Sequence, residues 1–254
     1  MTKAVAKMTV SDLPAEIHNT SWGTENVDFS DALVPKLLLM QGLSKLVTSD
    51  NAQMGDYVNS VSGEILGTAR EKDLKPVKII PLTFDQTWVE HVLGGDGKRR
   101  YVRTIPRNSI NANLPNEGPG AGEWEGQMIS RDRALIFYVR VAEDTGALPY
   151  TMIFKRTSFR TGQTLVSHFA NCKEANKPPA STTFSLSGKK VTNDSGTFYV
   201  MDVSMHGPTS AEDLKLAYAC YQRLKATKVL QVDDSDLKAE AETSGAKDVA
   251  EDRF

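Results

Sequence analysis

Cations interleaved with aromatic rings are the residues of this chain best suited to chemistry. Lys98-Arg99-Arg100-Tyr101-Val102-Arg103-Thr104-Ile105-Pro106-Arg107 carries five positive charges and no acid. Successive side chains on a strand alternate faces, so Arg99, Tyr101 and Arg103 are expected on one face and Arg100 and Val102 on the other. Trp88 precedes them in the same expected hairpin. A second cluster, Phe154-Lys155-Arg156-Thr157-Ser158-Phe159-Arg160, repeats the combination. Lys189 and Lys190 fall in a turn near Phe184, Phe198 and Tyr199. A single nucleic-acid strand is bound this way: cations follow its phosphates, and rings stack on its bases at about 1–3 kcal/mol each. Any one cluster also fits a solvated strand face with its rings turned inward; three clusters, an OB-like strand pattern and an acidic tail together favour single-strand binding. No helix carries the dense Lys/Arg stripe of a duplex reader. The expected nucleic-acid-binding residues are Trp88, Arg99, Arg100, Tyr101, Arg103, Arg107, Lys155, Arg156, Phe159, Arg160, Lys189 and Lys190.

Catalytic patterns are scarce. The histidines at 18, 91, 168 and 206 have no metal-ligand spacing, and Cys172 and Cys220 form no CxxC. Structural roles are expected for His91 and His168, and reduced, buried thiols for the two cysteines. Gly94-Gly95-Asp96-Gly97-Lys98 fails the phosphate-loop spacing and sits in a hairpin rather than before a helix. The GxSxG of serine hydrolases is missing. Asp85, Glu90 and Asp96 lie close in sequence, but turn and edge positions account for them. The chain reads as a non-enzyme that needs no cofactor.

Charge is unevenly distributed. From Asp233 onward there are eight acids and three bases, a net of −5. The whole chain carries −2, so residues 1–232 carry about +3. An acidic tail on a mildly basic body can compete with a polyanion for that body, or offer its tip to a protein partner. Glu251, Asp252 and Phe254 are the partner-binding candidates. Apolar runs such as Leu37-Leu38-Leu39-Met40 are far short of a membrane span, and the N-terminus lacks a signal-peptide core. A cytoplasmic protein with no membrane partner is expected.

The elements that must carry these residues are mostly short strands and turns. Residues 1–30 read as a flexible arm, 31–230 as one binding domain, and 231–254 as a disordered acidic tail. Leu39, Leu43 and Leu46 fit a helix weakened by Gly42, or a strand followed by a turn. Tyr57–Leu66 reads as a hairpin. Val77–Phe84 reads as a strand at a sheet edge because of Pro81, and Gln86–Val92 as a second strand pairing with Lys98–Ile105. Residues 106–126, rich in proline and glycine, read as a long loop. Ala134–Val141 should be a central strand paired with Tyr150–Phe154. A helix follows over about 158–175, with Phe159, Leu165, Val166 and Phe169 inward. Thr182–Gly188 and Thr197–Val203 form a hairpin. Ala211–Thr227 reads as an amphipathic helix capped by Ser210, with Leu214, Ala217, Tyr218, Tyr221 and Leu224 on one side. The class is mainly β with a few helices (α+β): an OB-like barrel or a curled antiparallel sheet, with an inserted helix and a C-terminal helix.

This arrangement resembles bacteriophage single-stranded DNA-binding proteins, including the type whose acidic tail ends in phenylalanine. The match rests on Glu251-Asp252-Arg253-Phe254 with the acids before it, and on the strand pattern over roughly 55–230. Arg253 beside the ring departs from the family tip, and the tail is less acidic than usual. The resemblance implies an OB fold, non-specific binding of single-stranded DNA in replication or recombination, tail contacts with enzymes of those processes, and often a homodimer. A metal-dependent nuclease or recombination enzyme, and a viral structural or assembly protein, are the alternatives.

Overall fold

A computed structural model describes residues 33–42, 44–93, 99–107, 118–124, 126–142, 144, 146, 148–193 and 196–226. The arm over 1–30, the tail over 231–254 and the turn at Gly94–Gly97 lie outside these residues.

Three short strands, β1 (Leu37–Leu39), β2 (Asp56–Asn59) and β3 (Ile65–Thr68), form a small antiparallel sheet. The four-residue helix α1 (Lys45–Thr48) joins β1 to β2. Leu39 and Leu46 are thus divided between a strand and a helix, which settles the ambiguity of that segment towards a strand first. The expected hairpin at 57–66 is the β2–β3 pair, with Tyr57 opposite Gly67.

The main sheet is built around two long antiparallel strands. They are β4 (Val77–Leu93) and β7 (Gln127–Val141), paired from Ile79–Val141 to Val92–Ile129. Each long strand is flanked on its other edge by two shorter ones. β9 (Thr182–Asn193) pairs with β4 at residues 77–79, and β5 (Arg99–Pro106) pairs with it at 87–93. β8 (Tyr150–Lys155) pairs with β7 at 134–139, and β6 (Gly118–Trp124) pairs with it at 127–131. β10 (Gly196–Pro208) pairs with β9 as the expected hairpin. The order runs from β10 through β9, β4 and β7 to β6 without returning. The sheet is therefore open, and of the two expected architectures the antiparallel sheet is built and the closed barrel is not.

Three local readings need correction. Residues 77–93 are one strand, not two, and Pro81 does not mark a sheet edge. Pro81 sits at a bulge, between its partner Val139 and the Thr83–Tyr138 pair. It also falls between the end of the β9 ladder at 79 and the start of the β5 ladder at 87. With a neighbour on only one flank there, its missing N–H breaks little of the ladder. Residues 118–124, expected to lie within a loop, form β6. Gly and Pro lower strand propensity, but β7 supplies a ready ladder.

Both faces of the β4–β7 pair are apolar towards one end. On one face Ile79, Leu135, Phe137, Val139, Phe154 and Leu165 form the main core beneath helix α2 (Phe159–Glu174). On the other, Ile80, Leu82, Ile136 and Tyr138 meet Ala217, Cys220 and Leu224 of α3 (Ala211–Ala226). Tyr218 and Tyr221 are exposed, so the buried side of α3 is narrower than the sequence pattern indicated. Arg140 anchors this helix through an Nη1 bond to Asp213, 2.9 Å. Gly162 is what brings α2 so close: a Cβ there would lie 2.7 Å from Phe154 Cβ and 2.9 Å from Leu135 Cδ1. That close seat fixes the start of α2 against the sheet. Both cysteines are free and buried, and burial raises the Cys220 thiol above its ordinary range. Among the described residues no helix is long and apolar enough to cross a membrane.

Candidate nucleic-acid interface

Where α2 begins, the sheet and the helix part to leave a groove of about 240 Å³. Its floor comes from Gln86, Thr87 and Trp88 of β4 and Arg133, Ala134 and Leu135 of β7. Its wall is Phe159, Gln163, Val166 and Ser167 of α2, and Arg107 follows β5 at the rim. Trp88 and Arg133 are register partners on the same face of the sheet. The Arg133 guanidinium lies 5.1 Å from the Phe159 ring centroid, a cation–π contact. The groove therefore gathers two half-buried aromatic rings, two arginines that are exposed, and two amide side chains. Rings can stack on a base, amides can meet its polar edge, and guanidinium groups can pair with phosphates.

Three expected residues, Trp88, Arg107 and Phe159, meet here, although they come from clusters that are far apart in sequence. Arg103 lies one step further along the same face, its Nε 2.7 Å from Glu90 Oε2. Arg100 and Arg160 are exposed on β5 and α2. Arg99 opens β5, but its side chain lies outside the description. Lys155 is half-buried and stands opposite Ala134. Arg156 donates from Nε to Asp132 Oδ2, 2.8 Å. Lys189 and Lys190 are exposed within strand β9, opposite Val200 and Tyr199, rather than in the expected turn, because the β9–β10 ladder runs on to Asn193; Lys189 pairs with Asp202 at 3.0 Å. They lie beyond the opposite end of β4, on the order of 40 Å from Trp88 along the strand. Glu251, Asp252 and Phe254 are outside the described residues.

The expected face pattern of β5 does not hold. The ladder slips between Glu90–Arg103 and His91–Tyr101. Neighbouring residues of β4 point to opposite faces, so Arg103 and Tyr101 do too. Tyr101 packs with Val89 and Ala134, while Val102 joins Val92 and Ile129. A bulge is invisible to a strict alternation of two.

Sequence reasoning missed Arg133 and Arg131, and assigned Glu90 to a turn or edge. Glu90 is neither at an edge nor at a turn: it is wholly buried between β5 and β7. Its carboxylate accepts hydrogen bonds from Arg103 and from Arg131, which is wholly buried as well. The detectable signal was Arg131-Asp132-Arg133, charges placed directly before the most apolar run of the chain. On the opposite face His91, also buried, lies 3.7 Å from Asp132. His168 donates from Nε2 to Pro179 O, 3.0 Å, within the fold as expected. Among the described residues no group of three or more His, Cys, Asp or Glu side chains is placed to hold a metal ion.

The family model of the Pam3 phage gp34-like proteins matches residues 4–230. The chain belongs to that family, and its kinship is with a bacteriophage protein. No curated protein and no solved structure matches it.

Proposed function

We propose that this phage protein binds single-stranded DNA without strong sequence choice and acts in phage DNA replication or recombination. The observation that carries the reading is the groove between β4, β7 and α2, with Trp88 and Phe159 as stacking rings and Arg107 and Arg133 beside them. A groove of this size admits an unpaired base and its flanking phosphate. A duplex keeps its bases stacked inside and could offer the groove only its backbone. Binding of this kind needs orientation and charge, not a cofactor, so the protein works by holding a strand and not by turning it over. The cytoplasm of the host cell is where such a strand would be met. The acidic segment from Asp233 supports a second role, contact with replication or recombination proteins through Glu251, Asp252 and Phe254.

Fluorescence anisotropy with labelled single-stranded and duplex oligonucleotides of equal length tests this reading. The single strand should bind more tightly, and Trp88→Ala should weaken it while the fold persists. Equal affinity for both forms, or no loss with Trp88→Ala, would overturn it.

A further inference from the structure

Beside the groove, one step along the same face of the sheet, Glu90 and Arg131 form a unit that the groove does not use directly. Neither lines it. Both are wholly buried, and Arg131 presents Nε and Nη2 to one carboxylate oxygen of Glu90 while Arg103 occupies the other. Two guanidinium groups thus share one carboxylate. A buried ionic cluster of this kind is often no more stabilising than apolar side chains of the same volume. Its presence is better explained by what it orients.

What it touches is the groove's tryptophan. The Arg131 guanidinium lies over the Trp88 ring, its carbon 5.9 Å from the centroid. Arg131 Nη1 has no hydrogen-bond acceptor, so the contact with the ring and the bonds to Glu90 are what hold the group. The Trp88 indole N–H is likewise buried without a hydrogen-bond partner, so no polar bond sets the ring's angle. A cation on its face does so instead, and Glu90 fixes that cation in turn by two bonds.

We infer that Glu90 and Arg131 are positioning residues that hold Trp88 as a rigid platform for a base. This rests on the strand-binding reading above. A flat cation held on one side of the ring leaves it pre-oriented to stack, so less ordering is needed when a strand arrives.

Charge and positioning make opposite predictions for Glu90→Gln. Removing a negative charge from a basic face should tighten binding to DNA if electrostatics alone matters. If Glu90 positions Trp88 through Arg131, binding should weaken, by about fivefold or more, the lower end of what a stacked base contributes. The test is a double-mutant cycle on the full-length chain: wild type, Glu90→Gln, Trp88→Ala and both together, titrated with an oligothymidylate by anisotropy. The expected result is a loss with Glu90→Gln that disappears when Trp88 is already alanine. Arg131→Lys, which keeps the charge but loses the flat fork, should reproduce the loss and covers the case in which Glu90→Gln does not fold. Unchanged or tighter binding by Glu90→Gln, or a loss that persists in the Trp88→Ala background, overturns the inference. Failure of both variants to fold also overturns it, by assigning the pair to the core alone. Wild-type chain that does not bind the strand removes the strand-binding reading itself. Wild-type binding that is sensitive to Trp88→Ala but not to Glu90→Gln removes only this inference.

Discussion

Strands β4 and β7 run side by side through two very different environments. Towards Ile79 and Val139 their side chains are mostly aliphatic or aromatic on both faces and are covered by α2 and α3, with the buried Arg140 the main exception. Towards Trp88 and Arg133 the same ladder carries Glu90, His91, Arg131 and Asp132, most of them buried. The backbone pairing is alike; the side chains differ. Apolar burial holds the first half together at about 25 cal/mol per Å² removed from water. The second half buries charge, which stabilises far less per group and demands exact partners. In one pair of strands, then, one half secures the fold and the other places a ring and cations along a groove.

Mutations at the two ends should separate these roles. The largest effect belongs to the apolar half. Phe137 is wholly buried and stacks on Phe84 at 5.2 Å between centroids, so Phe137→Ala should lower stability by about 3–5 kcal/mol. Chemical denaturation measures this, and a loss below 1 kcal/mol would mean that this end is not the stabilising one. At the charged end, Trp88→Ala should reduce strand affinity by about 1–3 kcal/mol, with a smaller change in melting temperature. The reverse order, large melting loss and intact binding, would make Trp88 a core residue and erase the contrast. Replacing Arg107 and Arg133 together by Gln should leave the fold intact and lower the slope of log affinity against log salt by roughly 1.4 for two phosphate contacts on a single strand. An unchanged slope would place the phosphates elsewhere.

Alkaline pH probes the apolar half without mutation. Burial, first of all, raises the hydroxyl pKa of Tyr57, Tyr138 and Tyr150 above the ordinary tyrosine value. Asp202, Asp85 and Asp144 add to the respective shifts. A folded-state pKa above the unfolded one near 10 gives stability that is complete below about pH 10 and is lost as pH climbs through the folded values. Melting temperature should fall above that point, with tyrosinate absorbance from these three rings appearing only as the protein unfolds. Ionisation of all seven tyrosines near pH 10 in a folded chain would contradict it. The smallest effect concerns the acidic segment. Deleting residues 233–254 removes a net −5 and should tighten strand binding, mainly at low salt. Equal affinity across a salt titration would leave that segment no competing role.

The apolar half was the more legible in sequence, and the reason is physical. Ala134–Val141 announces itself by composition, and its pairing with Tyr150 onward follows from the short connection between them. The amphipathic period of α2 is regular, and Leu165 lies inward as its spacing requires. The groove was only partly legible. Trp88, Arg107 and Phe159 were named, but their meeting depends on α2 folding back across β7, a contact no local pattern encodes. Gly162 permits that approach and gives no sign of it in sequence. Glu90 reads from sequence as a turn or edge residue and Arg131 as a solvated strand charge, and only the long β4–β7 register buries these two against each other. Tyr101 was placed on the wrong face because one bulged residue reverses the alternation. Pro81 was read as an edge for the same reason: a bulge with one open flank accommodates it within a central strand.

The central claim is that the charged half holds an unpaired strand. The most direct measurement is the affinity of the full-length chain for a single-stranded oligonucleotide and for its duplex, each followed across a salt titration. The single strand should bind more tightly at every salt concentration, with affinity falling steeply as salt rises. Absence of single-strand binding at low salt, or equal binding to the duplex, would contradict it.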